Sequence, residues 1–314
     1  VNINNFIIFN TNDCNFQNIN KTKQFYKKHG SCDLLLSQFS YAAWKGGKDN
    51  INWRKEAALE KLNSLYLQAQ IFKSEFVIPI ASYIYFANYN NFYLNDASNS
   101  PRNVVDFFNK KNKKNKIIVL SNYQNFVPNQ KRNHSNQKSL KFWDQIFENR
   151  NNLEKLEYTK STNLDEIKNY FYKYRDRIKK NNSILFIKFL YIIKIGGFFQ
   201  VNKIYLEDMN LGVKINLALG SFNLVSKEEC YISMHSESFT FLMERSYGFD
   251  TLSVNGCFEE IRKNGFTNFT KTFAIENLNG MGLKFSPMLI FNISLIFNFL
   301  ARLWSVKFKL KLKN

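Results

Sequence analysis

At 314 residues the chain is long enough for two domains, each with its own core. An apolar content of 45%, with 32 Phe, excludes a disordered chain. The net charge of +19 admits nucleic acid or an anionic membrane as partner, but 44 Asn and scattered Lys in excess of Arg read as a coding bias, so nucleic acid is not expected.

In chain order, Phe6 to Asn10 reads as an apolar strand, and Phe16 to Lys28 as a polar helical or irregular stretch ending at His29-Gly30. Leu34 to Phe39 is a buried strand, followed by a loop at Trp44-Lys45-Gly46-Gly47, where paired glycines break both helix and strand. Asn52 to Lys73 is the clearest helix. Ala57, Leu62, Leu65, Ala69 and Phe72 form its apolar stripe, with Arg54 and the other charges placed elsewhere. Phe76 to Pro79 is a strand in which Pro79 ends the pairing or marks an edge. Ser100-Pro101 opens a helix with Ser100 as cap, and Ile117 to Leu120 is a further strand. Strand and helix in alternation predict an α/β layered domain over residues 1–125.

Residues 126–182 read as a polar connector ending in a helix from Asn163 to Lys180. A smaller α+β domain is expected over 183–275. Its strands run from Lys203 to Leu206, Val213 to Leu217 and Cys230 to Met234, and Ser236 caps a helix reaching Arg245. Tyr247 to Gly256 reads as loop, turn and strand. A tail, 276–314, carries a nearly unbroken apolar run from Met288 to Leu300 and then alternating Lys and apolar residues to Lys313. That run is shorter than the ~20 residues of a spanning helix, so segment 288–313 is expected to cover the second domain or to touch a lipid surface.

Cys14, Cys32, Cys230 and Cys257 form no metal-ligand spacing, and four Cys in a chain of this length fit reduced thiols in the cytoplasm, with a peripheral membrane position as the variant. The histidines, His29, His134 and His235, stand far apart: His134 is expected in solvent, His235 at a helix cap. Asp13, at the tip of the first strand, is the one acidic residue placed as a metal ligand would be.

An ordered set of motifs resembles the metallo-β-lactamase-fold part of CMP-N-acetylneuraminate hydroxylases. The motifs are Asn12-Asp13-Cys14, Asp33 to Phe39, Lys45-Gly46-Gly47, Pro79 to Tyr83 and Phe92 to Asp96, covering residues 4–108. The resemblance implies a partial αββα sandwich with metals at one edge, and a substrate that is a sugar nucleotide or surface-glycan precursor. It places Asp13 at the bridging-ligand position and Asn88 where the family carries a histidine. The His-x-His-x-Asp-His motif of that family is not in this sequence. Zinc or iron is therefore expected in a complete protein and not in this chain, which is expected to be an inactive carboxyl-terminal fragment. Lys45, Trp44 and Asn88 are the expected substrate-side residues, with Lys45 suited to a phosphate or carboxylate. A sandwich lacking half its strands would expose edges and pair as a homodimer. The stretch from Ser236 to Gly256 weakly resembles a sterol-carrier-protein-2 domain. The competing expectation is a binding or scaffold protein with a degenerate metal site and an apolar-ligand domain.

Overall fold

The computed structural model describes residues 1–12, 14, 16, 18–111, 114–128 and 135–291. Asp13, His134 and the tail from 292 onward lie outside them. The chain is mixed α/β and divides into two compact units, residues 1–157 with 254–256, and residues 158–253 with those from 257. The segment expected as a connector, 126–182, is thus shared between the two.

The first unit is built on β1 (Asn2–Ile3), β2 (Phe6–Asn10), β3 (Leu34–Gln38), β4 (Phe76–Ile80) and β5 (Lys116–Ile117). They form one sheet in that same order; β1 is antiparallel to β2 and the rest are parallel. Helices α1 (Ile19–His29), α2 (Ile51–Ile71) and α3 (Pro101–Lys111) are the crossovers. Right-handed crossovers between strands laid side by side in sequence put every helix on the same face. That face is the core: Leu35, Phe39 and Val77 from the sheet meet Leu62, Leu65 and Ala69 of α2 and Val104 and Phe108 of α3. Burying Leu65 completely is worth about 1.5–3 kcal/mol.

The opposite face is apolar too, because a parallel strand buried on both sides reads as a continuous apolar run. Leu34, Ile78 and Ile118 are buried there, while Phe6, Ile8, Leu36, Phe76 and Ile80 are only partly covered, with Leu120 and Phe126 beside them.

Four sequence expectations change in this unit. Arg54 is fully buried on the α2 stripe and not in solvent. It stands four residues before Ala58 and eight before Leu62, the spacing of that stripe. Strand β4 continues through Pro79 to Ile80, since β5 pairs only with Phe76 and Val77 and leaves the proline without a ladder bond to lose on that side. The strand expected to reach Leu120 stops pairing early because the Asn136 side chain takes over: its amide donates to Ile117 O and its Oδ1 accepts from Val119 N. Residues Gln137–Asn149 form a helix, α4, inside the expected polar connector, anchored by the Trp143 indole donating to Leu120 O at 2.7 Å.

In the second unit, α5 (Leu164–Asn181) opens with a capping box between Asn163 and Glu166 and buries Ile167, Phe171, Tyr174 and Ile178. Helix α6 (Ile184–Ile193) follows. Strands β6 (Asn202–Leu206), β7 (Leu211–Asn216), β8 (Ser221–Val225), β9 (Ile232–Met234) and β10 (Glu259–Glu260) make a sheet of order β10-β9-β6-β7-β8. Only β6 and β9 run parallel. Helices α7 (Ser236–Glu244), α8 (Gly248–Asn255), α9 (Gly265–Phe273) and α10 (Ile275–Gly280) complete the described part. The strand expected before Gly256 is thus helical. The cap of α7 is His235, whose Nδ1 accepts from Glu237 N at 3.1 Å; Ser236 is the first helical residue, with its hydroxyl donating to Asp208. No helix among the described residues is long and apolar enough to cross a membrane.

Candidate site at the carboxyl edge of the parallel sheet

In an open parallel sheet, side chains for chemistry gather where the strands end and the loops open. Here β2, β3 and β4 end together, and three loops leave from them.

The loop after β4 is tied down almost wholly by side chains that imitate peptide groups. The Ser82 hydroxyl accepts from Phe39 N and Ser40 N, each at 3.0 Å, closing the end of β3. The Asn99 amide donates to Phe39 O and Ala58 O, both at 2.7 Å. The Asn95 amide donates to Phe86 O while its oxygen accepts from Phe86 N. Tyr41 donates its hydroxyl proton to Leu94 O, and burial pushes its pKa up, so the phenol stays neutral.

The loop after β3 wraps a cation. The Arg54 guanidinium donates to Gly47 O at 2.6 Å and Lys48 O at 3.0 Å, and grips Asp96 with two bonds of 2.8 and 2.7 Å. Burial works against its charge; the bonds and the field of Asp96 outweigh it and leave the pKa above the ordinary value. Gly46 has a φ of +84°, and a Cβ there would stand 2.9 Å from Asn50 and Trp53, so only glycine turns the chain at this point.

At the end of β2 lies a polar chain. Thr11 Oγ1 donates to Gln68 Oε1 at 2.7 Å, Ser37 donates to the same oxygen, and the Gln68 amide donates to Ser64 Oγ at 3.1 Å. Lys61 Nζ donates to Gln38 Oε1, whose amide donates to Asn12 Oδ1. With the exposed Cys14, the side chains of Thr11, Ser37, Gln38, Lys61, Ser64 and Gln68 line a cavity of about 20 Å³, room for one water molecule.

No protein-family model, curated protein or solved structure matches this chain. The site therefore rests on its own geometry.

Of the residues singled out in the sequence, Trp44 is buried, with its indole N–H directed at the Tyr93 hydroxyl at 3.2 Å and its ring edge-on to Trp53. It is part of the packing under the loop. Lys45 is half-buried at the start of the glycine turn. Asn88 is half-buried, with its Oδ1 accepting from Asn90 N at 2.9 Å and its backbone bridged to Leu156. It folds its own turn. Asp13 is outside the described residues.

No group of three or more His, Cys, Asp or Glu suited to a metal occurs among the described residues. The donors at the edge are neutral hydroxyls and amides engaged with one another, and an ammonium stands among them. Cys14 is the one thiol among the described groups there, and a thiol with no imidazole or carboxylate among the described residues beside it does not make the three-ligand set that zinc or iron takes. Lys61 is the cationic group that an anionic ligand at this edge would meet.

Sequence reading passed over Lys61, Ser64 and Gln68. Their signal is a polar stripe at i, i+3 and i+7 on a helix whose other stripe is apolar.

Proposed function

We propose that the first unit is the carboxyl-terminal half of a metallo-β-lactamase-like αββα sandwich related to CMP-N-acetylneuraminate hydroxylases. The protein it serves handles a sugar nucleotide or a surface-glycan precursor, and this chain by itself binds without catalysing. The observation that carries the reading is the one-sided sheet: three helices on one face, and opposite them a half-covered apolar face of Phe6, Ile8, Leu36, Phe76 and Ile80. In a sandwich that face would meet a second sheet. The ordered motifs between residues 4 and 108 support the same reading, and the small number and wide spacing of Cys14, Cys32, Cys230 and Cys257 support a reducing compartment.

A second reading, a scaffold with a degenerate metal site, is favoured by the edge itself, where Asn12, Gln38, Gln68, Asn95 and Asn99 hold protein groups.

The test is twofold. Zinc and iron are measured by plasma mass spectrometry in the purified chain beside Asp13→Ala, and cytidine monophosphate is titrated into the chain, Lys45→Ala and Lys61→Ala. The proposal expects no stoichiometric metal and a nucleotide affinity weakened in the lysine variants. Stoichiometric metal that vanishes with Asp13→Ala overturns the inactive half. Absence of nucleotide binding leaves the scaffold.

A further inference from the structure

Helix α6 has apolar side chains on both sides. Phe186, Ile187 and Leu190 are buried in the second unit. At 100° per residue the remaining arc carries Ile192, Leu185, Phe189 and Ile193 in angular order, with Lys188 at its margin. Leu185 is 74% exposed and Ile192 68%. A surface helix of a globular unit keeps its outer arc polar; a second apolar stripe has a use only when something covers it.

The adjoining chain repeats the pattern. Ser183 N donates to Phe285 O and Phe285 N donates to Asn182 Oδ1, both at 2.8 Å, which ties the start of α6 to residues just before 287–291. Met288 and Phe291 there are exposed at 75% and 77%.

Charge says what kind of cover fits. Between Asp176 and Glu207 the sequence has no acidic residue; Lys180, Lys188 and Lys194 fall in that span, beside Arg177, Lys179 and Lys203, which pair with Glu276, Asp176 and Glu229. From Glu276 to the end of the described residues there is again none, and Lys284 lies just before the 287–291 turn. A hollow of about 460 Å³ at the end of α6 is lined by Tyr191, Lys194, Gln200, Tyr231 and Asn268 around Ile192, and no described residue lining it is acidic. Protein partners of a basic surface bring carboxylates and a shaped apolar patch. A stripe one helix wide, apolar along its crest and basic at its margins, has the form of a helix lying at a lipid interface.

We propose that the outer face of α6, with the 287–291 turn, seats on an anionic bilayer surface. Leu185, Phe189 and Ile192 enter the headgroup–acyl boundary, and Lys188 and Lys194 meet lipid phosphates. This goes beyond the reading of the first unit and stands or falls separately from it.

The experiment is co-sedimentation of the full chain with vesicles of phosphatidylcholine alone and of phosphatidylcholine mixed with phosphatidylglycerol, over a range of salt. The expected result is binding to the mixed vesicles that weakens with salt and falls at least about tenfold in the Leu185→Glu, Phe189→Glu double variant. Both side chains are exposed, so the variant keeps its circular dichroism spectrum and thermal midpoint; a charge pair, Lys188→Glu with Lys194→Glu, provides a second set that leaves the apolar crest intact. Absence of binding to mixed vesicles, equal binding to neutral ones, or binding unchanged in both variants overturns the proposal. So does a dimer of the unmodified chain that the double variant turns into a monomer, because a second copy would then be the cover.

Discussion

The two faces of the parallel sheet come from the same strands and alternate residue by residue. Leu35 points into the helices and Leu36 away from them; Val77 and Ile78 divide the same way. Composition does little to distinguish the sides, since both are built mainly of Leu, Ile and Phe. Connectivity does: strands placed next to one another in chain order send α1, α2 and α3 to one side, and among the described residues the other side receives Ile118, Leu120 and Phe126 from beyond β5. The pair shows that apolar patterning specifies that a face must be covered, while topology decides by what.

The largest effect is expected on the covered side, at the buried guanidinium of Arg54, whose partner Asp96 is exposed. Arg54→Ala leaves the carbonyls of Gly47 and Lys48 without their donor and empties a fully buried site, and urea unfolding should show a loss of about 3–5 kcal/mol. A loss within that of an exposed pair would mean the covered layer does not depend on its rim. Next comes the direct contrast. Leu35→Ala, fully buried, should cost about 2–5 kcal/mol, and Leu36→Ala, its half-covered neighbour, about 1 kcal/mol. Equal losses would break the contrast and mean the outer face is covered in solution. Ser82→Ala should cost about 1–2 kcal/mol by stranding Phe39 N and Ser40 N, both buried. In the second unit, Asn163→Ala should cost about 1 kcal/mol by opening the capping box of α5.

Thiol chemistry gives the smallest effect. Burial, with Asp33 adding to it, pushes the Cys32 thiol from its ordinary 9.0 up to about 12. The unfolded chain ionises this group first, so stability is unaffected by it below pH 9.0 and declines as the pH rises from there toward 12. Maleimide labelling at mild alkaline pH should mark the exposed Cys14 and spare Cys32 until urea opens the covered face.

Much of this was written in the sequence. The runs Phe6 to Asn10 and Phe76 to Ile80 are strands of β-branched and aromatic residues between turn-forming ones, and Leu34 to Gln38 is legible as a short apolar run. Ser100 caps α3, its hydroxyl accepting from Asn103 N. Helix α4 was hidden because Asn, Gln and Lys flank it, although Leu140, Trp143 and Phe147 keep helical spacing. Helix α8 was hidden by the glycines at its borders, Gly248 and Gly256, which read as turns. The site was less legible still. Arg54 looks like solvent charge until its neighbours on the stripe are counted, and the amide network of Asn95 and Asn99 depends on partners far away in the chain, which local pattern does not reveal.

That network also fixes how the molecule ages. Asn99 lies before Ser100, and its buried NH2 group faces the carbonyls of Phe39 and Ala58. Slow hydrolysis of the amide to Asp would replace two donors with an anionic oxygen directed at two carbonyl oxygens, with no proton to share between them. While the loop stays closed the amide is shielded; each opening exposes it, and the product cannot close the loop again. The Asn-rich composition that carries no chemistry of its own thus sets a clock on the carboxyl edge, read out as a one-dalton gain in mass at this peptide.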